Sequence, residues 1–197
     1  MITGIKFQAK PTQEQAQALR QWQGYQKFIW NAKCDEDRYL RAFSKKYLPS
    51  GTYPEPDQAY SQYKDKALSP WLYDCPSQIL RNGTTNWYNT YRKFIKGVCG
   101  PPKHKKFSHQ SSVYLTKELF KLFKEDGRWV LEIGTKSKPL GRLNVKFHRS
   151  FSIPKSIYIK RNHGRWSLSF CYEDGIANDY VREDHLKHLQ NEPESSL

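Results

Sequence analysis

The fold is decided by the stretch from Gly97 to Val113, Gly-Val-Cys-Gly-Pro-Pro-Lys-His-Lys-Lys-Phe-Ser-His-Gln-Ser-Ser-Val, because it separates two sequence patterns of different period. Apolar residues recur at helical spacing before it and alternate with polar residues after it. Gly100, Pro101 and Pro102 disfavour both helix and strand ladder, so we expect an extended connector. Its lysines and hydroxyl groups suit contact with a phosphate backbone, although a basic loop that only faces water has the same composition.

Two helices are predicted before the connector. Thr12 followed by Gln15 is a capping-box pattern, which predicts a helix start there. Pro76 suits the first turn of a second long helix. Each helix has an apolar stripe, which indicates core packing, and a polar opposite face. The polar face of the second helix can read base edges or simply face solvent; it includes Ser77, Gln78, Arg81, Asn82, Thr85, Asn89 and Lys93.

The remaining segments predict strands. Residues 1–8 form a first strand, and the turn Glu125-Asp126-Gly127 joins a hairpin. Three further alternating segments follow, around Val145, Ile157 and Leu168. We therefore predict an α+β protein: a small antiparallel β-barrel of wedge or OB-like type, with a helical bundle inserted after its first strand. The predicted boundaries are 1–10 and 100–175 for the barrel, 11–99 for the helical lobe and 176–197 for an acidic, flexible tail.

The charge distribution favours a polyanionic partner. The formal net charge is +14, but residues 173–197 carry seven acids and two bases, so residues 1–172 have a net charge of +19. Such an excess indicates nucleic acid. A membrane partner is not expected, because the sequence has no long apolar run and no basic amphipathic helix with a wide apolar face. The first residues do not resemble a signal peptide, so we expect a cytoplasmic protein.

No metal site, cofactor or catalytic constellation is predicted. The four cysteines are far apart and include no Cys-x-x-Cys pair, which is typical of reduced, buried or incidental thiols. His185 and His188 are three residues apart, but two histidines in a polar tail are a weak metal signal. No Ser/His/Asp or Cys/His spacing and no glycine-rich phosphate loop is recognisable.

The order of several motifs resembles the N-terminal half of the OrfB/TnpB family. This family comprises transposon-encoded RNA-guided nucleases related to type V CRISPR effectors. No single motif is decisive, and the resemblance rests on order and spacing over about residues 1–175. The motifs are Lys-Pro-Thr-x-Glu-Gln (10–15), Phe-Ile-Trp-Asn (28–31), Pro-Trp-Leu (70–72), Pro-Ser-Gln-x-Leu (76–80), Trp-Tyr-x-x-Tyr-x-x-Phe (87–94), Gly-x-Pro-Lys-x-Lys-Lys (100–106), Gln-Ser-Ser-Val (110–113) and Gly-Arg-Trp-Ser-Leu-Ser-Phe (164–170).

The resemblance implies a wedge domain and a recognition domain that together hold a guide RNA and read a short DNA motif beside the target. Guide–target pairing then reads the remaining sequence. By resemblance, the start of the second helix and the segment 110–114 face the DNA motif, and the connector lysines contact phosphates. Two basic positions of the β-rich part complete the predicted nucleic-acid-binding set, which is Ser77, Gln78, Arg81, Lys103, Lys105, Lys106, Gln110, Ser111, Ser112, Tyr114, Lys146 and Arg149.

The sequence departs from the family in its second half. The short hydrophobic strand and aspartate that begin the RuvC-like nuclease domain are missing, as are the zinc-ribbon cysteines. Two-metal cleavage needs several carboxylates on a rigid frame, and residues 173–194 show no such frame. We therefore expect a bacterial or archaeal, nucleoid-associated protein that binds guide RNA and target DNA without cutting. Either a truncated gene or a separate nuclease half as a further partner would account for the missing domain.

Three other functions stay open. A self-contained enzyme would cut nucleic acid with metal alone. A repressor would place a helix in the major groove and bind duplex DNA without RNA. A structural RNA-binding protein would show no preference for DNA.

Overall fold

The computed structural model describes residues 2–106, 108 and 110–173. They form strand β1 (Ile2–Lys10), helix α1 (Gln13–Tyr47), helix α2 (Ser77–Ile95) and six further strands. The predicted tail, 176–197, with His185 and His188, lies outside the described residues. The further strands are β2 (Gln110–Thr116), β3 (Phe120–Glu125), β4 (Arg128–Gly134), β5 (Pro139–Lys146), β6 (Ser156–Asn162) and β7 (Arg165–Glu173).

The seven strands form one antiparallel sheet with the order β2-β6-β7-β1-β5-β4-β3. β1 lies in the middle of this order. It pairs with β7 from Ile2 to Ala9 and with β5 from Gln8 to Lys10. In the chain, both helices and the connector lie between β1 and its partners β5 and β7. The pairing of β1 therefore joins residues that are far apart in sequence. The prediction of an α+β protein with a helical region after the first strand is confirmed.

The prediction of a closed barrel is wrong. β2 and β3 are consecutive in the chain but lie at opposite edges of the sheet, with only residues 117–119 between them. The short link brings the two edges together at one corner, yet within the described residues no backbone ladder joins them. The physical reason lies in α2, whose amide side chains bond to the free edge of β2. Thr116 donates its N–H to Gln78 Oε1 over 3.2 Å, and Asn82 Nδ2 donates to the Tyr114 carbonyl over 2.9 Å.

The predicted start of α1 is confirmed. The Gln15 N–H donates to Thr12 Oγ1 over 3.2 Å, and the Thr12 N–H donates to Gln15 Oε1 over 3.1 Å, as in a capping box. Gln15 Nε2 also donates to the carbonyls of Leu140 and Arg142 on β5, over 3.1 and 2.9 Å. The Gln15 side chain thus caps the start of the helix and fixes it to the sheet.

α1 and α2 cross closely at Gly83. A Cβ at this position would lie 3.0 Å from the Gln26 carbonyl oxygen and 3.1 Å from the Ile29 side chain. Beyond this crossing, Trp30 and Cys34 of α1 pack with Trp87 and Tyr91 of α2. The helices therefore pack closely as a pair. The absence of a side chain at Gly83 allows the short distance between them.

One continuous core joins the helices to the sheet. Leu19 and Ile29 of α1 and Leu80 of α2 belong to the same buried cluster as Val113 and Leu168. The domain boundaries predicted at residues 10, 99 and 175 are not tested by this packing and stay a prediction.

The segment between α1 and α2 contains only short helical turns. Residues 57–66 contain only a 3-10 turn at Ser61–Tyr63, and a second 3-10 turn covers Pro70–Tyr73. α1 instead continues to Tyr47. Within the described part of the chain, no helix is both long and apolar enough to cross a lipid bilayer.

Candidate nucleic-acid interface

The connector between α2 and β2 lies along α1 and runs antiparallel to it. Trp30 Nε1 donates to the Lys103 carbonyl over 2.8 Å. The Asn31 side chain forms two hydrogen bonds with the backbone of Lys105. It accepts from the Lys105 N–H over 2.8 Å and donates to the Lys105 carbonyl over 3.2 Å. The connector forms neither helix nor strand over residues 100–106, as predicted, and its backbone is fixed by side chains of α1.

Further contacts fix both ends of this segment. His104 Nε2 lies 2.9 Å from Asp35 Oδ1, and Lys27 Nζ lies 3.5 Å from the Lys106 carbonyl. The Lys105 ammonium lies 3.5 Å from the centre of the Trp30 ring, which is a close cation–π contact. Partial burial lowers the pKa of Lys105 from its ordinary value. The connector lysines are thus carried on an ordered backbone.

A groove of about 580 Å³ lies between α1, α2, the end of the connector and the adjoining ends of β2 and β6. We call it the basic groove. All of its polar side chains carry positive charge, amide groups or hydroxyl groups, and none of its lining residues is a carboxylate. It is lined by Arg20, Gln23, Gly24, Gln26, Lys27, Asn86, Lys105, Lys106, Ser108, Gln110, Ser111, Ser112 and Arg161.

The edge of β2 adds backbone groups to the basic groove. Thr116 N–H and Tyr114 C=O point away from β6, toward α2. Alternate residues of an edge strand present their N–H and C=O to the same side, so Ser112 presents its own groups toward the groove end of this edge. α2 covers one end of the strand edge and the groove begins at the other.

Two groove side chains hold buried polar atoms that have no partner within the described residues, Gln23 Nε2 and Arg161 Nε. Gln23 is fixed on one side only, because Ser111 Oγ donates to its Oε1 over 2.6 Å. A buried donor without an acceptor costs about 1–3 kcal/mol. Both atoms are shielded from solvent, so they are polar groups left without a partner in the wall of the groove.

Five of the twelve predicted site residues meet in this groove: Lys105, Lys106, Gln110, Ser111 and Ser112. The start of α2 lies at the other end of β2. There Gln78 is 5% exposed and its Nε2 donates to Thr116 Oγ1, while Arg81 forms an ion pair with Glu118 at 3.3 Å. Ser77 is exposed at the first helical position. As the structure stands, the amide of Gln78 is used inside the protein.

The other four predicted residues lie elsewhere. Lys103 is exposed on the connector, and Arg149 is exposed in the loop after β5. Tyr114 and Lys146 lie on the outward-facing side of the sheet. No observation tests whether any of the twelve binds nucleic acid, and the set stays a prediction.

Sequence reasoning missed most of the α1 wall of the groove and Arg161 of β6. Arg20 and Lys27 stand out in the sequence as basic residues opposite the apolar stripe of α1, and this signal could have found them. Gln23 and Asn86 carry no charge, and nothing in their sequence context distinguishes them from ordinary solvated residues. They enter the site only because Gly83 lets the two helices approach.

In the described ranges, no three His, Cys, Asp or Glu side chains converge in a way that could hold a metal ion. Several carboxylates instead neutralise neighbouring cations. Asp37 pairs with Arg41 at 2.9 Å, and Glu125 and Glu132 both pair with Arg142, at 2.6 and 3.2 Å.

Residues 1–33 match the family model of the helix-turn-helix domain of OrfB from IS605 elements. Over 177 residues, 89% of this chain, the sequence is 23% identical to a protein of Escherichia coli strain K12 described as a putative RNA-guided DNA endonuclease, InsQ. The resemblance to OrfB/TnpB proteins is confirmed. This chain spans 42% of the length of InsQ.

The segment that matches the helix-turn-helix model has a different structure in this protein. Residues 2–10 form β1, and residues 13–33 belong to the single uninterrupted helix α1. The TnpB-like N-terminus is thus a strand followed by one long helix. The first half of that helix carries Arg20, Gln23 and Lys27, which line the basic groove.

Proposed function

We propose that this chain binds nucleic acid through the basic groove and serves as the binding portion of a TnpB-like transposon protein. The observation that carries the proposal is the composition of the groove. Five cationic side chains, from α1, the connector and β6, line one cleft together with amides and hydroxyl groups and without a carboxylate. Cations supply phosphate affinity, and amides and hydroxyl groups supply hydrogen bonds to sugars and base edges.

We further propose that the ligand is a guide RNA together with a short DNA motif, as the similarity to an RNA-guided relative supports. Gln23 of α1 and Asn86 of α2 both line the groove, on two helices that approach closely at Gly83. The exposed amide of Asn86 can donate to and accept from a base edge. Lys106, Arg20 and Arg161 would then contact phosphates.

We also propose that the described part of this chain binds nucleic acid without cutting it. The acids Glu36, Asp37 and Asp57 form ion pairs with buried or half-buried cations, a use that supports the fold. Incubation of the pure protein with Mg²⁺ or Mn²⁺ and labelled RNA, duplex DNA and single-stranded DNA is expected to leave every strand intact. A metal-dependent cut would assign the chain to the enzyme alternative.

The binding test compares two triple variants of equal charge by fluorescence anisotropy. One replaces Arg20, Lys106 and Arg161 in the groove with Gln, and the other replaces the exposed residues Arg38, Lys45 and Lys121 with Gln. We expect the groove triple to lower the affinity for a 20-base-pair duplex about 100-fold at 0.1 M salt, since each lost phosphate contact reduces the slope of log K against log salt by about 0.9.

The control triple removes the same net charge and is expected to lower affinity less than about fivefold through the long-range field alone. Equal losses in the two triples would show that net charge, and not the groove, holds the ligand. RNA that copurifies with the protein, identified by sequencing, tests the guide-RNA part separately. The stand-alone repressor alternative would show full duplex specificity after nuclease treatment has removed all RNA.

A further inference from the structure

The outer face of the sheet carries a second surface, formed by the outward-facing side chains of β1, β2, β6 and β7. We call it the outer sheet face. Its centre is a pair of tyrosines directly opposite each other on neighbouring strands, Tyr114 of β2 and Tyr158 of β6. Their ring centroids lie 4.9 Å apart at 49°, and Tyr158 is 41% exposed. A large aromatic ring is therefore presented to solvent on a rigid strand.

Cations surround this pair in a regular pattern. Lys160 lies two residues from Tyr158 on β6, with its Nζ 5.6 Å from the centre of the Tyr158 ring. On the other side, Lys6 of β1 lies across from Ser169, which itself lies across from Tyr158. Since neighbouring strands are about 4.8 Å apart, Lys6 stands about 10 Å from Tyr158 across the sheet.

Serines of β7 lie between the side chains of β6 and those of β1. Ser169 separates Tyr158 from Lys6, and Ser167 separates Lys160 from Gln8. Both serines are half-buried, so the surface between the flanking long side chains is a shallow trough with hydroxyl groups on its floor. The outward side chains of these four strands, in the described residues, include one carboxylate, Glu173, which lies at the far end opposite Ile2.

We propose that the outer sheet face binds a single-stranded stretch of nucleic acid, with a base stacked on Tyr158 and phosphates held by Lys6 and Lys160. Proteins hold unpaired bases by stacking them on exposed aromatic rings, with cationic side chains nearby for the phosphates. A duplex keeps its base faces stacked on each other and cannot use Tyr158 in this way. The surface goes beyond the basic groove and uses none of the groove's cations.

A purely structural role for the tyrosines would be the stabilisation of the β2–β6 pairing, since cross-strand aromatic pairs contribute about 0.2–1 kcal/mol. Such a role explains the contact with Tyr114 but does not require lysines on both sides or a trough of serines. The two roles make different predictions for binding, and a matched control separates them. Tyr73 is 42% exposed and its ring centre lies 4.6 Å from Lys64 Nζ, but it belongs to a 3-10 turn and to none of the strands of the outer sheet face.

The experiment measures the binding of fluorescein-labelled 12-mer oligo(U) RNA, the matching oligo(dT) DNA and a 12-base-pair duplex at several salt concentrations. Tyr158→Leu is expected to weaken single-strand binding about tenfold, since base–aromatic stacking is worth about 1–3 kcal/mol. It should leave the slope of log K against log salt unchanged, because no phosphate contact is lost. Lys6→Gln should lower the single-strand slope by about 0.7.

Tyr73→Leu and the groove triple serve as controls in the same assay. Tyr73→Leu should stay within twofold of the wild type, and Tyr158→Trp should retain single-strand affinity. In the background of the groove triple, Tyr158→Leu should still lower single-strand affinity about tenfold, so the failure of the groove proposal and of this one remain distinguishable. Tighter binding of RNA than of DNA would assign the surface to RNA, and equal binding would assign it to any unpaired strand.

Three results would overturn the proposal: single-strand affinity of Tyr158→Leu within twofold of the wild type, an equal loss for duplex and single strand, or an equal loss for Tyr73→Leu. If Tyr158→Leu does not fold, as judged by circular dichroism, ultraviolet crosslinking of bound oligo(U) to the wild-type protein replaces it. Mass spectrometry should then find the crosslink at Tyr158 or Tyr114, and crosslinks confined to other residues would contradict the proposal.

Discussion

The two halves of α1 use their cations differently. In the first half, Arg20 and Lys27 line a groove without carboxylates. In the second half, Lys33, Arg38 and Arg41 each lie within 4 Å of an acid. Lys33 is fully buried and is held by Glu36 at 2.7 Å and Asp57 at 2.8 Å. A count of basic residues therefore does not locate a binding site. What distinguishes the two halves is whether carboxylates lie beside the cations.

The largest effect is expected where the buried cation of the second half is removed. Lys33→Ala leaves two carboxylates without their cation and opens a cavity, so it should lower the free energy of unfolding by about 3 kcal/mol. Urea denaturation followed by circular dichroism measures this loss. Nucleic-acid affinity of the folded fraction should stay within twofold, because Lys33 does not line the groove. A strong loss of affinity with unchanged stability would reverse the roles that we assign to the two halves.

Two glycine substitutions test the same difference between residues that pack the fold and residues that line the groove. Gly83→Ala places a Cβ about 3 Å from the Gln26 carbonyl and the Ile29 side chain, and it should destabilise the protein by about 2 kcal/mol. Gly24→Ala, in the groove half of α1, meets nothing within 4 Å and should stabilise the protein by about 0.5–1 kcal/mol through helix propensity. Thermal unfolding of both variants measures whether each substitution stabilises or destabilises the protein. Destabilisation by Gly24→Ala would show that residue 24 has closer neighbours than the structure indicates.

Substitutions in the first half of α1 should change nucleic-acid affinity and leave the free energy of unfolding nearly unchanged. Arg20→Gln is expected to weaken duplex binding about 5- to 10-fold at 0.1 M salt and to change the free energy of unfolding by less than about 0.5 kcal/mol. Arg38→Gln, on the same helix but paired with Asp35, is the matched control and should change neither quantity appreciably. Anisotropy titrations of the two variants test this directly, and equal effects would erase the distinction between the halves.

The smallest effect is a pH dependence of the second half. The hydrogen bond from Lys33 holds the pKa of Asp57 below its ordinary value. The stabilisation from this pair is therefore fully present above the unfolded pKa, near 4, and is lost as the pH falls through the lower folded pKa. Asp57→Asn should cost about 1 kcal/mol at pH 6, since the carboxylate is largely exposed, and almost nothing at pH 2. Urea midpoints at the two pH values measure the difference, and an equal cost at both would show that the charge of Asp57 is not what stabilises the pair.

Much of the fold could be predicted because it is encoded locally. The Thr12–Gln15 cap, Pro76 before α2 and the Glu125-Asp126-Gly127 turn are short-range patterns, and each element begins or turns where its pattern predicts. The closed barrel was predicted wrongly because alternation fixes which side chains face the core but not which strands pair. Gln78 and Asn82 bond to the free edge of β2, and no sequence pattern shows that an amide on a helix will replace a neighbouring strand.

The candidate site was predicted in part for a similar reason. Lys105, Lys106 and Ser111 lie near one another in the sequence, so a single basic connector indicated them together. Gln23 and Arg161 are distant in sequence and reach the same groove only through the crossing of α1 and α2 and the pairing of β6 with β2. The outer sheet face has the same origin, because Tyr114 and Tyr158 become neighbours only through strand register.

The sequence by itself determined the charge excess, the change from helical to alternating periodicity at the connector and the resemblance to OrfB/TnpB proteins. These are properties of composition and short-range order, which depend on each residue and its near neighbours. Only the tertiary structure decided which cations face acids and which face open grooves, and which aromatic rings stand together on the sheet. The physical reason is that ion pairing and stacking act over a few ångströms in space, and chain distance does not fix spatial distance until the strands have paired.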